Sequence, residues 1–157
     1  MRATKNIFLV ALTNHLKHKP GITTEVEAFH QRTLSKRYVC VNLDTIFLPV
    51  KRETVSKEAV YIAVGIREDG SKEVLAYTVA PTESAHVWKE LFEDIHTRGV
   101  EAVLLFISDG LKGIKDNIHS VFPKARHQTC FIHVARHISH RVPVSERKTI
   151  CEDLKSL

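Results

Sequence analysis

The stretch YVCVNLDTIFLPV, residues 38–50, constrains the fold more than any other part of the chain. Tyr, Val, Leu, Ile and Phe fall on both alternating faces, which predicts a strand buried on both sides. Asp44 stands in the middle of it. Burying an isolated ionised carboxylate is very costly, so Asp44 must have a partner. An ion pair with Lys or Arg is one answer and a metal ion another.

The segments around this strand have a readable order. EAVYIAVGI (58–66) and KEVLAYTVA (72–80) are further apolar strands, and Asp69-Gly70 between them signals a hairpin turn. Three strands with short links predict an antiparallel meander. SAHVWKELFEDIHTRG (84–99) then puts Val87, Trp88, Leu91, Phe92 and Ile95 on one helical face, between a capping Ser84 and a terminating Gly99. VEAVLLFIS (100–108) is an apolar strand that follows a helix, hence expected to run parallel to a neighbour and to be buried on both faces. GLKGIKDNIHSVFP (110–123) is a second helix, with Leu111, Ile114, Ile118, Val121 and Phe122 inward and Pro123 ending it.

A short strand in ARHQTC (125–130) and a helix from Phe131 follow, with Phe131, Val134, Ala135 and Ile138 turned to the core. SERKTICEDLKSL (145–157) reads as another helix, and TTEVEAFHQRTL (23–34) as a short one. The fold class is α/β: a ribonuclease H-like mixed sheet of three antiparallel strands, then helix–strand–helix–strand. Trp88, Phe92 and Tyr61 belong to its core.

Asp109 ends the fourth strand, where open α/β sheets place ligands. If the first and fourth strands are neighbours, their backbones run about 4.8 Å apart and both carboxylates can project from one face. Two such carboxylates repel, and a divalent cation relieves the conflict; oxygen ligands suit Mg²⁺ or Mn²⁺. Asp109-Gly110 also reads as a plain turn capping the next helix. Asp44 has no such capping role in mid-strand.

YVCVNLDTIFLPVKRE, AVYIAVGIREDGSKEVLAY, VWKELFEDIHTRGVEAVLLFISDGLKGIKDNI and VFPKARHQTCFIHVARH together resemble the Mutator-type transposases of bacterial insertion sequences. The likeness runs from about Glu25 to the end and includes the 65 positions (109 − 44) between the aspartates. SDGLKG followed by Cys-x-x-His is its most specific part. The resemblance implies a ribonuclease H-like catalytic domain with two aspartates and a glutamate around two divalent ions, which cuts and joins DNA at element ends. By position Asp44 matches the first acidic ligand and Asp109 the second. The family's glutamate lies past a helical insertion that begins about where this sequence stops; Glu146 and Glu152 come too early, in a helix expected to be exposed.

On this footing residues 1–24 are unassigned, 25–142 form a partial catalytic domain incomplete at its C-terminal side, and 143–157 start the insertion. The function implied is that of a transposase catalytic-domain fragment, impaired by lack of the third acid. The alternative is a non-catalytic DNA-binding or subunit-interaction remnant. Partners implied are DNA, as terminal repeats and target, and further copies of the full-length protein.

Cys130 and His133 match the family's Cys-x-x-His, read as a structural pair. His137, with His127 as a fourth group, keeps a zinc reading open. Arg136 follows the His where the family also carries a basic residue, and Lys112 lies beside Asp109; both are candidate DNA contacts. A formal net charge of +5 over 157 residues suits such a polyanion. Three scattered cysteines argue against a disulfide framework, and no stretch reaches membrane-spanning length, so a cytoplasmic location is expected. The basic start before IFLVAL only faintly resembles a signal peptide, with no small-residue cleavage site.

Overall fold

The computed structural model describes residues 22–51 and 55–155, so IFLVAL and most of the unassigned leader lie outside the described residues. The chain divides into two compact units, residues 1–33 and 34–157. In the first, helix α1 (Ile22–Gln31) forms where the sequence predicts it. The Arg32 guanidinium lies 4.6 Å from the centre of the Phe29 ring.

The second unit contains strands β1 (Arg37–Lys51), β2 (Val55–Ile66) and β3 (Lys72–Ala80), then helix α2 (Ala85–Thr97), strand β4 (Ala102–Ser108), helix α3 (Ile114–Val121), strand β5 (Arg126–Thr129) and helices α4 (Phe131–Arg141) and α5 (Arg147–Lys155). The sheet order is β3-β2-β1-β4-β5. β1, β2 and β3 form the expected antiparallel meander. β4 runs parallel to β1 and β5 parallel to β4, giving a mixed five-stranded sheet with β1 at its centre.

Local chemistry sets the element ends. At Asp69-Gly70 the chain turns with Gly70 in the left-handed region (φ 81°), and the Asp69 carboxylate accepts the Ser71 N–H at 2.8 Å. Ser84 caps α2 by accepting the His86 N–H at 3.2 Å. That helix stops at Arg98 and Gly99.

The apolar face of α2 packs as its spacing predicts. Trp88 meets Tyr61 edge-on at 5.1 Å, Phe92 meets Phe106 of β4 at 5.4 Å, and Phe106 lies 5.5 Å from Phe122. Each large side chain buried this way contributes about 1.5–3 kcal/mol relative to exposure. Ile114 and Ile118 of α3 complete the cluster, so α2 and α3 form one layer over the sheet.

Gly65 of β2 is a forced choice. A methyl group there would come within 2.7 Å of the Tyr38 ring and 2.8 Å of Leu75. The Tyr38 hydroxyl in turn donates to the Glu73 carboxylate and accepts the Ser35 N–H at 3.1 Å. Arg67 bonds Glu73 at 2.5 Å and the Ser35 hydroxyl at 3.0 Å, so the start of β1 is tied to the β2–β3 hairpin.

Three expectations need correction. β4 is not buried on both faces: Leu104 is 46% exposed and Val39 of β1 38%, because α2 and α3 cover one layer only. α3 starts at Ile114 with Gly113 as its cap residue, not at Gly110, since Gly110 and Gly113 both take positive φ (90° and 85°) and turn the chain before it can coil. α4 does not turn Phe131 and Val134 into the core. They are 47% and 37% exposed, and the helix has no buried residue, because its main packing neighbour is α5 rather than the sheet.

Candidate metal and nucleic-acid site

Strand register sets the two aspartates at matching positions of neighbouring chain segments, Asp44 in β1 and Asp109 just past the end of β4. Cys40 pairs with Leu105, Val41 with Phe106 and Asn42 with Ile107, a constant offset of 65 (107 − 42). Asp109 minus Asp44 is the same number, so two residues past the last pair the ladder's offset would set the two aspartates opposite each other. Residues at equivalent positions on adjacent strands project to the same side of the sheet. Asp44 is less enclosed than its strand suggested: its side chain is 39% exposed.

The neighbour found for Asp44 is a histidine, not Lys or Arg. Nε2 of His133 lies 3.7 Å from Asp44 Oδ1. Cys130 explains how it arrives there. Its N–H donates to the Ser108 carbonyl at 2.5 Å, where β5 gives way to α4, and Cys130 is the residue before the first turn of that helix. A residue three places on lies about one turn along. That backbone bond thus ties the start of α4 to the end of β4, and His133 three residues on comes back beside Asp44 of β1.

A third carboxylate belongs to this neighbourhood, and sequence reasoning missed it. Glu83, in the link between β3 and α2, has its carboxyl pushed up from the usual range by burial and by the charge of Asp109. A bond to Thr45 pulls the other way, and Asp44 adds a further upward push. Its Oε1 is enclosed without a hydrogen-bond partner. Among the described residues no three His, Cys, Asp or Glu side chains stand close enough to hold one metal ion. Glu83 is therefore a neighbour of the aspartates, not a third ligand in this conformation.

The zinc reading of Cys130, His127, His133 and His137 is corrected on the same ground. His133 turns to Asp44. His127 turns to Ser108, its Nε2 2.9 Å from the hydroxyl. Cys130 and Cys40 are free thiols, with Cys40 pushed up by burial. Arg136 and Lys112 are both exposed; Lys112 sits just before Gly113, outside the helix it was expected to start. Glu146 and Glu152 are exposed, as expected.

Residues 18–157 match the family described as Transposase, Mutator family. The chain belongs to that family. The transposase for insertion sequence element IS1201 of Lactobacillus helveticus is 44% identical over 133 residues, which are 85% of this chain and 36% of that protein. The transposase for IS905 of Lactococcus lactis is 38% identical over 84% of this chain and 34% of its own length. The transposase for IS256 in transposon Tn4001 of Staphylococcus aureus is 28% identical over 99% of this chain and 39% of its own. The chain thus spans little more than a third of the length of these curated relatives.

For this Mutator-family chain, the residues that sequence reasoning missed are Glu83 and Ser108, and His127 was named only as a possible zinc group, not as the partner of Ser108. Glu83 had a weak signal, an acid directly before the α2 cap. Ser108 and His127 had none that spacing reveals, since they meet only when β5 pairs with β4. Among the described residues no helix is long and apolar enough to cross a membrane.

Proposed function

We propose that this chain is part of the catalytic domain of a DNA transposase, with a ribonuclease H-like sheet whose Asp44 and Asp109 take Mg²⁺ or Mn²⁺. The observation that carries the reading is the shared offset of 65 between the β1–β4 register and the two aspartates. The donor set suits a hard divalent cation, and the enclosed, unpaired Oε1 of Glu83 makes the pocket more favourable to positive charge. A cation held by Asp44 and Asp109 would supply activation of a water or hydroxyl and stabilisation of the leaving oxygen of a phosphodiester.

The other residues bind and orient. Asp44 and Asp109 hold the cation from adjacent strands. His133 lies near Asp44, its Nε2 3.7 Å from the carboxylate. Arg136, on the exposed side of α4, and Lys112, beside Asp109, contact DNA phosphates of the terminal repeats or target. Two aspartates alone hold a divalent ion weakly. Self-association belongs to the longer protein.

Calorimetric titration with Mn²⁺ tests the site. The parent chain is expected to bind, and Asp44→Asn and Asp109→Asn to lose that binding. Variants that bind as well as the parent would remove both residues from the site and with them the nuclease reading.

A further inference from the structure

Ser108 is the only fully buried polar residue at this end of the sheet among the described residues, and it is bonded through both its side chain and its backbone. Its hydroxyl accepts the Gly110 N–H at 3.3 Å and pairs with His127 Nε2 at 2.9 Å. Its carbonyl accepts the Cys130 N–H at 2.5 Å. Asp109 lies between Ser108 and Gly110, in a turn that Gly110 completes in the left-handed region at φ 90°. Beyond Gly110, the Thr129 side chain stands 3.4 Å from where a methyl group would point.

We propose that His127 is a positioning residue for Asp109: through the Ser108 hydroxyl it fixes the turn that aims the Asp109 carboxylate beside Asp44. The proposal rests on the reading of Asp109 as a metal ligand and deepens it by naming what holds that ligand in place.

The chemistry is a two-bond relay. A serine hydroxyl has one proton and two lone pairs, and here two groups compete to orient it. With its proton given to the imidazole, the hydroxyl keeps a lone pair aimed at the Gly110 N–H. Burial, then Lys115 and His119, lower the proton affinity of His127 and keep the ring neutral, so one ring nitrogen remains free to accept. Without the imidazole the buried hydroxyl can swing to another acceptor, and the Gly110 N–H loses its partner. The peptide units on either side of Asp109 then lose a fixed direction. Groups that orient a metal ligand in this way typically change metal affinity by 10–100-fold when removed.

The test uses ¹H–¹⁵N NMR of the 157-residue chain, with and without Mn²⁺, for the parent, His127→Leu, His127→Gln and Ser108→Ala. Glutamine keeps both a donor and an acceptor, leucine neither. The expected result is that His127→Leu and Ser108→Ala shift the metal-free Gly110 amide and weaken Mn²⁺-induced broadening around Asp109 by about tenfold in affinity. His127→Gln restores both. An unmoved Gly110 amide in His127→Leu overturns the proposal, whatever the metal does. So does a moved amide with unchanged Mn²⁺ affinity. A parent chain that shows no Mn²⁺ broadening sinks the metal reading instead, and the proposal, which depends on it, falls with that reading. The metal-free Gly110 signal then still reports separately whether the histidine holds the turn.

Discussion

The α2–α3 layer and the α4–α5 pair differ in kind. The first buries Trp88, Phe92, Phe106, Ile114 and Ile118 in one aromatic-rich cluster. The second leaves Phe131, Ile132 and Val134 about half exposed, and α4 carries two arginines and three histidines with no acid. The first region is held by packing; the second is held by a backbone bond at Cys130 and by the contact between α4 and α5. The lesson is that one region is held by a packed apolar core and the other presents an exposed basic helix.

The contrast breaks most readily through matched truncations. Phe106→Ala removes a fully buried ring and is expected to destabilise the chain by about 3–5 kcal/mol. Phe131→Ala should change stability by less than about 0.5 kcal/mol. Urea unfolding of the two variants checks this, and equal effects would erase the distinction. Next in size is Gly65→Ala, where a methyl group against the Tyr38 ring is expected to cost about 1–3 kcal/mol by overpacking. Thermal unfolding measures it, and a parent-like midpoint would show that the Tyr38 ring yields.

A smaller effect comes from His127, at the seam of the regions. Its folded-state proton affinity lies below the ordinary value of 6.5, chiefly through burial. The unfolded chain therefore takes up the proton first. Stability from the neutral ring is complete above about 6.5 and is lost as the pH falls through the lowered value. Unfolding midpoints measured between pH 7 and 5 should decline, and His127→Gln should flatten that decline. The smallest effect on stability is expected for Arg136→Ala, whose side chain is exposed. It should leave the unfolding midpoint unchanged while lowering the salt slope of DNA binding by about one.

Much of this was legible beforehand because hydrophobic spacing carries it. β3 occupies Lys72–Ala80 and α4 begins at Phe131, as the sequence indicates, and Trp88, Phe92 and Tyr61 are core. The amphipathic pattern of α4 misled, since a stripe of apolar residues does not say whether a neighbour exists to cover it. Asp109-Gly110 looked like a helix start, yet two positive-φ glycines delay the helix to Ile114. Of the candidate site, the equal offset of Asp44 and Asp109 with the β1–β4 register follows from position. Glu83 and the Ser108–His127 pair were not readable, because such meetings depend on pairing between segments far apart in the chain.

The glycine beneath the Tyr38 ring has a consequence for how the strands find their alignment. If β2 slid by one place along β1, Val64 or Ile66 would have to fit where only a hydrogen atom does. That tooth in the ladder rejects shifted pairings while the sheet assembles. A misplaced zip growing from the Lys51–Val55 end would therefore run past Asp44 and stall where Val41 meets the glycine.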